Sequence, residues 1–221
     1  MLHFGLEVKE GKYGLKLARE GYAIIDNRNT IQTRNQNVKD FTDISKKYYT
    51  EEWCLEHQKK CLENYDFNMR IFSELNHNDF NEKIERFLKK YSKFEKVEDL
   101  KQYDDVPGYY MMILDSYCQL YLGATENILR RIRQHWTKRT SFDRLLFPMN
   151  NVNGSSISID SFRALDTTRI YVYKSITFDK ENDYIQFFPS KYVCNRIGGN
   201  IKDAGHLGYL QAMATKNFRK L

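Results

Sequence analysis

The stretch GYYMMILDSYCQLYLG, residues 108–123, consists of two tyrosine-bearing apolar runs around a short polar break, and a glycine closes each end. Two such runs with a turn between them predict a β-hairpin. If Asp115 and Ser116 form a two-residue turn, Tyr110 and Tyr121 are direct cross-strand partners on one face, with Cβ atoms roughly 5 Å apart. The pair then either stabilises the sheet as an aromatic contact or places two phenols for chemistry.

The next segment, GATENILRRIRQHW (123–136), predicts a helix that begins near residue 126 with Thr125 as its N-cap. Its predicted buried stripe consists of Ile128, Ile132 and Trp136. Arg131 and His135 are four residues apart on another face, so they are predicted to be neighbours on the helix surface. Arginine binds phosphate in a bidentate manner, and tyrosine or histidine helps to activate water. Beside two tyrosines, this pair suits a phosphodiester substrate.

A group of basic residues surrounds this helix: Arg130, Arg133, Lys138, Arg139 and Arg144. These cations are predicted to contact nucleic acid, and a solvated basic helix face is the alternative interpretation. The whole chain has 35 basic and 29 acidic residues, which gives a net charge of +6. That excess is compatible with a polyanionic partner but does not require one.

The two tyrosine motifs and the helix after them together resemble a known family. GYY stands where the GIY-YIG nuclease domain has GIY, YLG stands where it has YIG, and TENILRRIRQHW resembles its helix with an arginine and, four residues on, a histidine. The resemblance covers about residues 106–200. It implies an α+β fold with a small central β-sheet flanked by helices, and metal-dependent hydrolysis of DNA. It also implies that Tyr110 is a general base, that Tyr121 positions water or phosphate, and that Arg131 is catalytic, with His135 as its neighbour.

The resemblance further implies a glutamate on a later helix that holds one Mg²⁺ or Mn²⁺ ion, and an asparagine soon after it. The stretch ENDYIQFFPSKYVCNRIGG (181–199) offers Glu181 and Asn195, and Asp179 and Asp183 are alternatives to Glu181. One carboxylate with waters and substrate phosphate suits Mg²⁺, which keeps most of its water. Asn195 departs from the family pattern because it does not directly follow a Pro-x-Tyr unit. Either it acts from a longer loop or its role is missing.

Upstream of the hairpin the pattern changes twice. Residues 1 to about 40 predict short strands and turns, and two amphipathic helices follow, the first capped by Thr50. Asp79 is predicted to cap the second helix, with Glu82 completing a capping box. The two helices together predict an αα-hairpin.

The turn-forming residues Asp104 to Gly108 predict a boundary between an N-terminal region, residues 1–104, and a nuclease domain, residues 105–221. The N-terminal region resembles no known family. Its predicted roles are DNA specificity, dimerisation or support of the nuclease sheet.

Several classes of protein are excluded by what the sequence lacks. The four cysteines, Cys54, Cys61, Cys118 and Cys194, are not spaced for a zinc site and predict unpaired thiols in a reducing cytoplasm. The histidines show no HExxH spacing. No apolar run is long enough for a membrane helix, so no membrane partner is expected.

These patterns together predict a metal-dependent DNA endonuclease of the restriction, mobile-element or repair type. Three alternatives stay open: an RNA-cleaving enzyme, a nucleic-acid-binding module that has lost catalysis, and a structural protein in which the tyrosine pair is only packing. The oligomeric state and the recognition sequence are left open.

Overall fold

The structure is a computed structural model that describes residues 1–11, 14–25, 51–147 and 150–196. The strands are β1 (Leu2–His3), β2 (Leu6–Glu7), β3 (Glu95–Lys96), β4 (Gly108–Leu114), β5 (Gln119–Thr125) and β6 (Arg169–Lys174). The α-helices are α1 (Arg19–Tyr22), α2 (Glu51–Glu74), α3 (His77–Lys90), α4 (Ile128–Thr137) and α5 (Glu181–Gln186). The chain therefore has the predicted α+β composition. Among the described residues, no helix is long and apolar enough to span a membrane.

The centre of the fold is an antiparallel sheet in the order β3–β6–β4–β5. Every residue of β4 is buried, because helices cover both faces of the sheet. Side chains alternate between the faces of a strand, so Tyr110 and Met112 point to one face and Tyr109 and Met111 to the other. This two-sided burial explains why the strand is a continuous apolar run.

Two hydrophobic clusters hold the layers together. The first, on the Tyr110 face, includes residues of α2 and α4: Cys61, Ile71, Phe72, Ile128, Ile132 and Trp136. The second, on the Tyr109 face, includes Phe80, Ile84 and Phe87 of α3, Tyr184 of α5, and Phe188, which lies after the end of α5. The apolar stripe predicted for α4 is thus confirmed, and α5 packs against the sheet through Tyr184.

The predicted αα-hairpin is wrong, although both of its helices are present. Because α2 packs in the first cluster and α3 in the second, they lie on opposite faces of the sheet. Leu75, which lies between the two helices, packs partly against both clusters. Each amphipathic stripe is satisfied by a face of the sheet rather than by the neighbouring helix.

The two-residue turn predicted at Asp115 and Ser116 is also wrong. A 3₁₀ turn over Asp115–Tyr117 is followed by Cys118 in the left-handed region, with φ of 47°. This longer loop shifts the register by two residues, so Tyr110 pairs with Gly123, and Met112 pairs with Tyr121. A shift of two residues leaves each side chain on the same face of the sheet, so the two tyrosines still share one face.

Both predicted helix caps that the structure describes are displaced. Asn76, rather than Asp79, caps α3, and its side chain accepts a hydrogen bond from the Asp79 amide at 3.0 Å. Asn127, rather than Thr125, caps α4, and it accepts one from the Arg130 amide at 2.8 Å. In each case the residue directly before the helix is an asparagine, and it takes the cap position that asparagine favours. Thr50 lies outside the described residues.

The described part of residues 1–104 packs with the rest of the chain. β3 pairs with β6, and both clusters contain residues from either side of residue 104. β1 and β2 form a small hairpin whose turn residues, Phe4 and Gly5, both have positive φ. Residues 19–22, where a strand pattern was predicted, begin a short helix instead. This packing agrees with one of the roles predicted for the region, support of the sheet.

Candidate active site

Tyr110 and Tyr121 lie together on one face of the hairpin. Their ring centroids are 6.1 Å apart, although the two residues are not direct partners in the ladder. Tyr110 is fully buried, whereas Tyr121 is partly exposed. The tyrosine pair is therefore present, with a diagonal geometry in place of the predicted direct one.

The two glycines that close the hairpin are required by close approach. A Cβ on Gly123 would lie 2.5 Å from the Tyr110 hydroxyl oxygen, and a Cβ on Gly108 would lie 2.3 Å from the Tyr173 carbonyl oxygen. Gly123 does not end its strand, because β5 continues to Thr125. The glycine instead leaves the space in which the Tyr110 phenol lies.

His135 is buried beneath this tyrosine pair and not on the helix surface, where the sequence placed it. It is 1% exposed, and its Nε2 lies 2.8 Å from the Tyr110 hydroxyl oxygen. Its ring centroid is 4.9 Å from that of Tyr121. The buried stripe of α4 is wider than three residues, since His135 precedes Trp136 on the side that faces the sheet.

Asp160 completes the contact on the other side of the imidazole, and no sequence pattern indicated it. Its Oδ1 lies 2.7 Å from His135 Nδ1. Asp160 belongs to a 3₁₀ turn, Ile159–Ser161, in the polar segment between α4 and β6. No spacing rule connects an aspartate in such a loop with a histidine 25 residues earlier. Only the packing of the loop against α4 joins them.

Burial and neighbouring charges set the protonation of this pair. Burial lowers the pKa of His135 below its ordinary value, although Asp160 opposes the shift. Burial favours the neutral form of Asp160, but its hydrogen bond with His135 and the charges around it outweigh this and lower its pKa. At neutral pH the imidazole is therefore neutral, and the carboxylate is ionised.

Arg131 lies half-buried on the same side of α4 as His135. Burial raises the pKa of Tyr110 well above its ordinary value, while Arg131 lowers it through its charge and as a hydrogen-bond donor. Burial also raises the pKa of Tyr121 to about 12, and Arg131 again opposes the shift. The guanidinium therefore lies where it stabilises a negative charge that develops on either phenol.

Arg196 provides a useful contrast, because its guanidinium is occupied by the backbone. It donates to the carbonyl oxygens of Ser156, Arg144 and Leu145 at 2.7 to 3.0 Å. These bonds tie the polar segment after α4 to the chain beyond α5. Arg131, by contrast, lies beside the phenols of Tyr110 and Tyr121.

Glu181 is the first residue of α5 and is half-buried. Its charge contributes to the raised pKa of both Tyr110 and Tyr121, so its carboxylate lies near them. In the described part of the chain, no group of three or more His, Cys, Asp or Glu side chains is arranged to hold a metal ion. A single carboxylate beside phenols fits a Mg²⁺ ion that keeps most of its water shell, rather than an all-protein cage.

Asn195 is engaged by the backbone of β5. Its Oδ1 accepts from the Leu122 amide at 3.1 Å, and its Nδ2 donates to the Leu122 carbonyl at 2.6 Å. Next to it, Val193 forms a parallel bridge with Leu120. These contacts cover the outer edge of β5 and fix the strand that carries Tyr121.

The five basic residues predicted to contact nucleic acid are all exposed: Arg130, Arg133, Lys138, Arg139 and Arg144. Lys138 Nζ lies 3.6 Å from Asp160 Oδ2, and Arg144 Nε lies 3.8 Å from Asp143 Oδ2. The Lys138 and Arg144 side chains of these pairs are more than half exposed, so both cations can also reach phosphates.

The structure thus brings Tyr110, Tyr121, Arg131 and His135 together and places Glu181 beside them. Asn195 lies against the outer edge of β5. No protein-family model matches the chain, and neither the curated proteins nor the solved structures compared with it gave a match.

Proposed function

We propose that the chain is a metal-dependent endonuclease that hydrolyses DNA phosphodiester bonds on a GIY-YIG-like domain. The observation that carries the proposal is the contact between the Tyr110 hydroxyl and the neutral His135 imidazole, 2.8 Å long, with Arg131 beside it. A buried phenol with a proton acceptor on one side and a guanidinium on the other is equipped to become a phenolate. A tyrosine pair that served only for packing would need neither His135 nor Arg131.

Proton transfer begins at the Tyr110 hydroxyl. Its proton passes to His135 Nε2, and the phenolate takes a proton from the attacking water. The water oxygen forms a bond to phosphorus, the bond to the leaving oxygen breaks, and the leaving oxygen takes up a proton from solvent. The His135 imidazolium then releases its proton to solvent, which restores the neutral imidazole. Arg131 favours the phenolate, because its charge lowers the Tyr110 pKa against the effect of burial.

Arg131 also neutralises the charge that develops on the phosphate oxygens in the transition state, where electrostatic stabilisation is usually the largest contribution. Tyr121 lies between the buried Tyr110 and the exterior, so it positions the water or the phosphate. Asn195 acts through β5, whose position it fixes by its two bonds to Leu122.

Glu181 is the residue that would hold the metal ion. A bound Mg²⁺ supplies Lewis-acid polarisation of the phosphate. The exposed cations of α4 and the segment after it supply the electrostatic attraction to the nucleic-acid backbone.

The test is cleavage of plasmid DNA with Mg²⁺, with and without a chelator. We expect Arg131→Ala and Glu181→Gln each to reduce the rate by on the order of 10²-fold or more. Matched controls are Arg86→Ala and Glu85→Gln, which remove the same charges from the exposed side of α3. Cleavage that persists equally in Arg131→Ala or Glu181→Gln would refute the site assignment.

One observation favours a second candidate, a nucleic-acid-binding protein that has lost catalysis. Tyr110 is 1% exposed, and its pKa is raised by burial, both of which work against a base that must meet water. Salt-sensitive retention of DNA without any metal-dependent cleavage would favour this candidate. A matched RNA substrate in the same assay separates a DNA-cleaving from an RNA-cleaving enzyme.

A further inference from the structure

The loop between α4 and β6 places an aspartate against the imidazole of His135, and the proposed reaction above does not use it. Asp160 Oδ1 lies 2.7 Å from His135 Nδ1, on the side opposite to the Tyr110 hydroxyl. Tyr110, His135 and Asp160 therefore form one continuous chain of hydrogen bonds.

The turn that carries Asp160 is held in place by hydrogen bonds of its backbone. The Asp160 amide donates to the Ser158 hydroxyl at 3.3 Å, and the Asp160 carbonyl accepts from Arg163 Nη1 at 3.2 Å. The second carboxylate oxygen of Asp160 lies 3.6 Å from the ammonium of Lys138. The carboxylate is thus an ionised acceptor on a fixed turn.

The protonation of the histidine follows from this arrangement. An ionised carboxylate can only accept hydrogen bonds, and a neutral imidazole has a single N–H. The proton must therefore be on Nδ1, where it is donated to Asp160. Nε2 then has a lone pair, and it accepts the hydroxyl proton of Tyr110.

We propose that Asp160 is a positioning residue, which fixes the His135 tautomer that can take the proton of Tyr110 and stabilises the imidazolium that forms. The group it serves is the buried phenol of the nuclease site, so this inference rests on the proposed function. The logic is that of a carboxylate behind a catalytic histidine in hydrolases, with a tyrosine hydroxyl in place of the serine.

The first measurement needs no substrate, and it uses a variant only to assign the resonance. ¹⁵N NMR of the histidines of the free protein at neutral pH, with His135 assigned by its loss in His135→Gln, should show a protonated Nδ1 and a bare Nε2. A proton on Nε2 in the wild-type protein overturns the proposal.

The second measurement uses Asp160→Asn, which keeps the shape of the side chain. An amide can donate as well as accept, so it does not fix the tautomer, and it does not stabilise an imidazolium. We expect a detectable population of the other tautomer and a decrease in kcat on the order of 10²- to 10⁴-fold, with KM for DNA nearly unchanged. Asp66→Asn is the control, since Asp66 forms an exposed ion pair with Arg19.

The two failures can be told apart. A wild-type protein that cleaves no nucleic acid refutes the proposed function, while the tautomer of the free protein still decides whether Asp160 sets the imidazole. Active wild-type protein with an unchanged tautomer and an unchanged kcat in Asp160→Asn overturns the role of Asp160.

Discussion

Gly123 determines whether Tyr110 can lie in its present position. In Gly123→Ala the new Cβ would be 2.5 Å from the Tyr110 hydroxyl oxygen and 2.6 Å from Cζ. The ring is buried, and its hydroxyl is bound to His135, so it can move only at a cost. We expect the free energy of unfolding to fall by about 1–3 kcal/mol. We expect the cleavage rate to fall to that of Tyr110→Phe, which lacks the hydroxyl that contacts His135.

Urea unfolding and plasmid cleavage check this prediction. Gly11→Ala is the matched control, because a Cβ at Gly11 meets no atom within 4 Å. Full activity in Gly123→Ala would show that the Tyr110 hydroxyl does not have to keep its contact with His135.

At the scale of single residues, the sequence predicted the parts of the site that lie within one hairpin and one helix. Tyr110, Tyr121 and Arg131 are recognisable from short motifs, since their relative positions follow from local geometry. Asp160 is not, because its contact depends on how a loop without regular pattern packs against α4. The burial of His135 was missed for a similar reason: it depends on how α4 packs against the rings of Tyr110 and Tyr121 on the hairpin.

The helix α4 presents both Arg131 and His135, so its N-cap matters to the site. Asn127 accepts from the Arg130 amide, and its Nδ2 donates to Asp105 Oδ1 at 2.7 Å and to Asp104 Oδ1 at 3.1 Å. In Asn127→Ala the cap is lost, and we expect the free energy of unfolding to fall by about 1 kcal/mol. Thermal and urea unfolding measure the change.

Two further substitutions at this position separate capping from charge. Asn127→Ser keeps a capping oxygen and should be less destabilising than alanine. Asn127→Asp also keeps a cap, but it adds a carboxylate beside Asp104 and Asp105 and should be more destabilising than serine. Equal stability of the serine and aspartate variants would contradict the contact with the two aspartates.

At the scale of elements, periodicity predicted where helices and strands lie but not how they pair. The stripes of α2, α3 and α4 follow from the spacing of apolar residues. The register of the hairpin depended on a turn type, and the left-handed Cys118 gives a longer loop than the Asp-Ser pair suggested. The αα-hairpin prediction was wrong because an apolar stripe does not specify which element covers it. In the structure, α2 and α3 each pack against a different face of the sheet.

At the scale of the whole molecule, the sheet separates two basic surfaces. α4 lies on the Tyr110 face and has exposed Arg130 and Arg133, whereas α3 lies on the Tyr109 face and has exposed Arg86 and Lys89. The net charge of +6 does not show which of the two faces would bind DNA. The proposed function predicts binding to the α4 face, because that face borders Tyr121 and Arg131.

The salt dependence of DNA binding tests this asymmetry with two variants of equal net charge. The first removes Arg130 and Arg133 by alanine substitution, and the second removes Arg86 and Lys89. If the α4 face contacts phosphates, the slope of log K against log salt concentration should become shallower by about 2 in the first variant, since each lost phosphate contact changes it by about 1. The second variant should keep the wild-type slope. Equal slopes in both variants would mean that DNA responds to overall charge, and the placement of the nucleic-acid surface on α4 would be wrong.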